Sequence, residues 1–274
     1  MAKVFSGKRI VPVWVAAARS LNKAKAQGRT ERNYVLEIAS PTLLMQADLP
    51  VISAVDSKLR NAKKELSLET VAGTLFPNGL YRRYGRPAFY DHYLNAIERG
   101  RDKNTWGTYA VRMIERTNPK TKATFNPLDI IVQKLQTAKN GRRIHAAYEL
   151  GLVAPADLID ESVADFGCEL PLYDPATDGG RPTNIPCLSH LSFKLNDDDS
   201  VDLTAVYRSH HYAQRALGNL IGLSQLLAFV AAEAGLKPGT LTCVSTQAHL
   251  DVATWGGVEA TDALLATFPD EEVA

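Results

Sequence analysis

The stretch YAQRALGNLIGLSQLLAFVAAEAGL, residues 212–236, is the most apolar in the chain and constrains the fold more than any other feature. Gln214, Arg215, Asn219, Gln225 and Glu233 interrupt it. Five polar side chains in one segment argue against a membrane span. An apolar helix carrying a few polar groups reads instead as a central helix, packed on nearly all sides. Gly235 is placed to cap it and Pro238 to stop it, so GLKPG (235–239) reads as a turn. Such a helix needs a thick core around it, and a chain of 274 residues can bury one.

The flanking sequence supplies elements to build that core. Residues 11–27 have helical periodicity and end at Gly28, and NYVLEI (33–38) reads as a strand. Residues 57–75 suggest one helix stopped by Phe76-Pro77-Asn78-Gly79, and residues 88–99 suggest another. PLDIIVQKLQTAK (127–139) is a helix with Pro127 suited to its first turn. RRIHAAYEL (142–150) reads as a strand. LSHLSFKL (188–195) and SVDLTAVYRS (200–209) flank Asn196-Asp197-Asp198-Asp199 as a β-hairpin, and TLTCVS (240–245) is a short strand. Residues 151–183, rich in Asp, Pro and Gly, read as an irregular insertion, and the acidic DEEVA end as a frayed, solvated tail. There is no internal repeat and no low-complexity linker. The pattern predicts a single α+β domain over 1–274, a mixed sheet covered by helices.

Composition excludes some partners. A net charge of +1 gives no bulk electrostatic reason to expect nucleic acid or a membrane surface. Three scattered cysteines without a CxxC pair point to reduced thiols and a cytoplasmic setting. MAKVFSGKRIVPVWVAAARS has no long apolar core and no clear cleavage site, so no signal peptide is expected. No P-loop, Rossmann glycine pattern, HExxH or GxSxG motif occurs, and no metal site is expected.

What remains is an order of individually weak features. Arg142-Arg143 precedes Pro186-Cys187, then come Arg208-Ser209, Asn219, GLKPG and His249. Cys187 alone reads as a small buried residue, the commonest fate of a free cysteine. In this order the chain resembles the thymidylate synthase family. There, an arginine pair precedes a Pro-Cys nucleophile, an Arg-Ser ends a strand, and an asparagine heads a long buried helix. A GLKPG-type turn and a histidine follow. The resemblance implies a thymidylate-synthase-like fold with a long buried central helix. It also implies C5 one-carbon transfer to a pyrimidine nucleoside monophosphate through a covalent Cys187–C6 adduct. A thiolate that adds to C6 makes C5 nucleophilic, and neighbouring arginines such as Arg208 lower the thiol pKa. By resemblance, Arg208, Ser209, Arg142, Arg143 and one of Arg29 and Arg32 bind the phosphate side, because guanidinium forks match phosphate oxygens. Asn219 can accept from N3–H and donate to O4, which favours a uracil-type ring. His249 completes the substrate set. LSLETVAGTLF (66–76) nominates Glu69 as the catalytic glutamate, and TWGTYAVRM (105–113) nominates Tyr109. The family's cofactor is 5,10-methylenetetrahydrofolate. Its arginine pair reaches the partner subunit's site, which implies a homodimer.

Several positions depart from the family pattern. Leu188 stands where a histidine follows the nucleophile, and Ser192 where a glutamine is expected. His211 replaces the aspartate of the folate site. Asp251 replaces the sugar-contacting tyrosine, and a carboxylate there can accept from both ribose hydroxyls. Ala216-Leu217-Gly218-Asn219 lacks the usual Pro-Phe, and the segment before Cys187 is longer. The departures fit a divergent C5 hydroxymethylase or methylase better than a housekeeping thymidylate synthase. The alternative is a non-catalytic nucleotide-binding or regulatory relative. A cysteine hydrolase using His190, His210, His211 or His249 lacks any triad spacing and ranks third.

Overall fold

A computed structural model describes residues 1–63, 66–100, 108–118, 121–141, 168–171, 186–271 and 273. The expected 142–150 strand, Arg142 and Arg143 lie outside these residues, as does most of the 151–183 insertion. Within the insertion, Cys168–Pro171 forms strand β5.

The centre is one mixed sheet. Its strands are β1 (Lys3–Gly7), β2 (Thr30–Ile38), β5, β6 (Leu188–Leu195), β7 (Ser200–Tyr207) and β9 (Lys237–His249), in the order β1-β2-β9-β7-β6-β5. The two-residue β8 (His210–His211) continues the line of β7 beside β9. β3 (Arg116–Thr117) and β4 (Thr124–Phe125) pair separately. β1 runs parallel to β2, β2 antiparallel to β9, β9 parallel to β7, and β6 antiparallel to β7. One face carries Leu36, Cys243, Ala205 and Leu191, matched across four strands and all buried. The other carries the row Val4, Val35, Val244, Val206 and His190, also matched strand to strand.

Helices cover the first face. α1 (Ile10–Lys23) packs on β2, and a 3-10 turn carries the chain to Gly28 in the left-handed region. The central helix runs as expected: a π-helical turn at Tyr212–Ala216 leads into α8 (Leu217–Ala234), ended by Gly235 at φ 69°. By length and composition it could cross a membrane, but 72% of its most apolar window is buried inside the protein. The other helices among the described residues are α2 (Leu49–Ala62), α3 (Leu68–Leu75), α4 (Asn78–Tyr84), α5 (Ala88–Gly100), α6 (Tyr109–Ile114), α7 (Pro127–Asn140) and α9 (Val258–Ala266). α3 lies tightly on α8. A Cβ on Gly218 would sit 2.6 Å from Val71 Cγ1, and one on Gly222 2.8 Å from the Ala72 carbonyl.

Four expectations are corrected. The 57–75 helix is two helices, because Lys63 turns extended and Ser67 starts α3 anew, its hydroxyl accepting from Thr70 N–H. Phe76-Pro77 does end the helix after Leu75 as expected, but Asn78-Gly79, read as part of that stop, already begins α4. GLKPG is a turn only at Gly235, since Lys237, Pro238 and Gly239 already belong to β9. Gly239 is needed there because a Cβ would collide with the Asp202 carboxylate, which accepts from Thr240 N–H at 2.6 Å. The acidic tail is anchored at Asp270 and Glu271. Arg9 Nη2 donates to both Glu271 oxygens, at 2.7 and 2.8 Å, while also pairing with buried Asp48, and Arg19 pairs with Asp270.

Candidate active site

One end of the sheet gathers the chemistry. β6 and β2 start there, β7 and β9 finish there, and α8 begins just beyond. Cys187 immediately precedes β6, beside a register shift between Leu188 and His190. Such bulges re-aim side chains at strand ends.

Cys187 is half-buried and held from two sides. The Tyr109 hydroxyl accepts from Cys187 N–H at 3.2 Å and from Leu188 N–H at 3.3 Å. Thr108 caps α6 through Val111 N–H, which sets Tyr109 at the start of that helix. Arg208, one residue past β7, donates its backbone N–H to the Cys187 carbonyl at 2.8 Å and its Nη2 to the Pro186 carbonyl at 2.6 Å. Arg208 therefore fixes the loop that carries the thiol.

Burial works against the expected activation of that thiol. Burial pushes the Cys187 thiol up and outweighs the opposing fields of Arg208 and Arg215. Arg215 was read only as a polar break in the apolar stretch, but the π-turn brings its charge into the field of Cys187 and Tyr109.

Asn219 lies in the first turn of α8 and is 4% exposed. Its Nδ2 is 3.1 Å from His210 Nε2, and His210 Nδ1 is 3.0 Å from Ser245 Oγ. The His210 ring stacks on Tyr207, with centroids 4.0 Å apart and planes 4° off parallel.

A second group sits at the β2–β9 end. Thr30 Oγ1 is 2.9 Å from His249 Nδ1, and the exposed His211 ring meets His249 edge to face. Asp251 is occupied by neighbouring groups: one oxygen accepts from Ala213 N–H at 2.9 Å, the other from the Thr254 hydroxyl at 2.8 Å. Arg29 Nε donates to Asn22 at 3.1 Å, and Arg32 is exposed on β2 opposite Gln247. Ser209 is half-buried beside Arg208. Glu69 is exposed in the first turn of α3, and among the described residues no hydrogen bond joins it to another candidate. The structure thus joins Cys187, Tyr109 and Arg208 directly, and His249 with His211. Among the described residues there is no cluster able to hold a metal. Cys243 is fully buried, with burial pushing its thiol up to about 12.

No protein-family model matches the chain. Curated relatives do. A protein of Methanococcoides burtonii is 44% identical over 75 residues, covering 27% of this chain and 34% of the relative. One of Methanosarcina barkeri is 30% identical over 132 residues, covering 48% and 49%. One of Methanopyrus kandleri is 35% identical over 78 residues, covering 28% and 37%. All three are provisionally named thymidylate synthases. The likeness is to thymidylate synthases. The matches span between about a third and about half of those relatives' lengths. The thymidylate synthase of T4 phage aligns structurally with a TM-score of 0.46 at 15% identity, over 89% of this chain and 73% of that one, too distant to decide anything.

Beside the thymidylate synthase pattern, the residues that sequence reasoning missed are Ser245, Tyr207 and Arg215, while His210 entered only as a possible hydrolase base. An adjacent His210-His211 pair at a strand end was the available signal, and the pattern drew attention to His211 alone.

Proposed function

We propose that this chain is a divergent member of the thymidylate synthase family that transfers a one-carbon unit to C5 of a uridine-type nucleoside monophosphate. The observation that carries this reading is the clamp on Cys187, gripped by Tyr109 and Arg208 at a sheet end beyond which α8 begins with Asn219 in its first turn. A thiolate at Cys187 adds to C6, and the ring electrons move to C5 as an enolate. C5 takes a carbon at the formaldehyde oxidation level from a methylene carrier. Loss of the C5 proton expels the carrier as its amine and leaves an exocyclic methylene on the Cys187 adduct. Water capture of that methylene gives a hydroxymethyl group, whereas hydride capture gives a methyl group, and expulsion of the Cys187 thiolate from C6 then restores the ring. We favour hydroxymethyl, which needs no hydride donor.

Arg208, Ser209, His249 and one of Arg29 and Arg32 are the proposed substrate contacts, with Arg142 and Arg143 entering from a second copy. Arg29 is bonded to Asn22 and Arg32 is exposed, so Arg32 is the better candidate of the two. Folate fits this set poorly. Its expected aspartate is His211, and the adjacent Asp251 carboxylate is committed to Ala213 and Thr254. No step is assigned through folate, and Asp251 is a weak candidate for the sugar for the same reason. The proposed second copy packs on the valine row of β1, β2, β9 and β7. Val4 is 56% exposed and its three partners are half-buried, an apolar stripe on the face away from α8.

The test is C5-hydrogen exchange with 5-tritiated UMP, dUMP, CMP and dCMP, for the protein and Cys187→Ala. Exchange that vanishes in the variant is expected. Tight binding with no exchange for any nucleotide would favour the non-catalytic relative, a reading that the raised Cys187 thiol keeps in play.

A further inference from the structure

We infer that His210 is the positioning residue that selects the pyrimidine base, by holding the Asn219 amide in one of its two orientations. The inference rests on the reading that Asn219 faces the base. An amide nitrogen can only donate, so the 3.1 Å contact makes His210 Nε2 the acceptor. The ring proton is then on Nδ1, where it donates to Ser245 Oγ at 3.0 Å. Ser245 is fully buried on β9 and His210 is 2% exposed. The ring cannot turn easily, since it lies flat on Tyr207 and meets Tyr212 edge-on at 5.3 Å. The helix start is packed closely, since a Cβ on Gly218 would lie 2.6 Å from Val71 Cγ1. Burial pushes the His210 pKa down to about 3, so the imidazole stays neutral and keeps its acceptor.

The consequence is chemical. Uracil presents an N3–H donor beside the O4 acceptor, and cytosine presents an N3 acceptor beside an amino donor. One orientation of a carboxamide matches the first pattern, and the flipped orientation matches the second. With nitrogen drawn inward to Nε2, the carbonyl oxygen is the end left to accept from N3–H. With this tautomer, flipping would aim that oxygen at the Nε2 lone pair and lose the hydrogen bond; only a coupled move of the ring proton to Nε2, with the Ser245 hydroxyl turned to donate to Nδ1, would restore it. A neutral, buried histidine reached from the end of β7 thus rejects cytosine without touching the base.

The experiment has two arms. In the ligand-free protein, 15N chemical shifts of His210 report the tautomer, and Nδ1–H is expected. In the second arm, UMP, dUMP, CMP and dCMP are titrated calorimetrically into the wild type, His210→Phe and His210→Gln. Phenylalanine keeps the stack on Tyr207 without an acceptor, and glutamine restores an acceptor oxygen. The preference for uridine over cytidine nucleotides should fall roughly 10- to 100-fold in His210→Phe, the span of one buried polar mismatch, and recover in part in His210→Gln. Equal weakening of all four nucleotides would reduce His210 to a structural role and overturn the inference. So would an Nε2–H tautomer, and that result would leave the proposed function standing if Cys187-dependent exchange is seen. Failure of every nucleotide to bind a wild type with the Nδ1–H tautomer would overturn both readings.

Discussion

Acidification should expose His210 through stability alone. Its pKa is about 3 in the folded chain, against 6.5 for an ordinary histidine. Between those values the unfolded chain binds the proton and the folded chain does not. The contribution is therefore fully present above pH 6.5 and is lost as pH falls from 6.5 toward 3. Each pH unit in that window costs about 1.4 kcal/mol, so about 2 kcal/mol is gone by pH 5. Urea unfolding at half-unit steps from pH 7 to 4.5 measures this in the wild type and in His210→Phe. The variant should start lower, because Asn219 Nδ2 and Ser245 Oγ lose their partner, by about 1–3 kcal/mol. Its stability should then fall less steeply, so that the two curves converge toward acid. Parallel curves would mean that His210 takes up a proton in the folded chain, and the neutral acceptor assigned to it would be wrong.

Other perturbations read other parts of the site. Tyr109→Phe removes the oxygen that accepts from Cys187 and Leu188 N–H, which should cost about 1–3 kcal/mol in urea unfolding and speed alkylation of Cys187, with buried Cys243 as the unreactive internal control. Unchanged stability and reactivity would refute the clamp. Gly222→Ala presses a methyl 2.8 Å from the Ala72 carbonyl and should destabilise by about 1–3 kcal/mol, whereas Gly79→Ala, with nothing within 4 Å, should be close to neutral. Val244→Glu places a charge in the middle of the valine row. Sedimentation should show a dimeric wild type and a monomeric variant, and a wild type that is monomeric at high concentration would remove the proposed interface.

Local physics made much of the fold legible. The 212–236 stretch announced a buried helix because its few polar residues cannot be sorted onto one face, and the 188–209 hairpin because Asn and three Asp interrupt two alternating runs. The order Cys187, Arg208, Asn219 was legible as a set of candidates, of which the structure joins Cys187 and Arg208 directly and places Asn219 in the first turn of α8. What escaped depends on partners distant in sequence. Lys237-Pro238-Gly239 has the residue types of a turn, yet pairing with β7 draws it into β9. DEEVA has the composition of a loose tail, yet Arg9 and Arg19 hold Asp270 and Glu271 from the first helix region. His210 stood in the sequence only as one of four possible hydrolase bases, and only the passage of β9 puts Ser245 behind it.

The thiol follows the same rule. A family resemblance that sets Arg208 beside Cys187 suggests a stabilised thiolate, but the balance is set by how much water the folded chain leaves at Sγ. Burial wins at Cys187, and the two arginines only reduce the penalty. They do so unequally. Arg208 is partly buried and bonded to the Pro186 carbonyl, so it is rigid, whereas Arg215 is exposed on the π-turn. An exposed charge acts through solvent, and its effect is small and screened by salt. Arg215→Ala should therefore slow alkylation of Cys187 at pH 7.5 by roughly 1.5- to 5-fold at low salt, the range of an exposed charge pair, and by much less at about 0.5 M salt. Its alkylation-pH profile should shift further toward alkali without changing shape. Equal rates for variant and wild type at low salt would remove Arg215 from the site. A slowing that persists at high salt would mean that Arg215 positions the Cys187 loop by contact instead of by field.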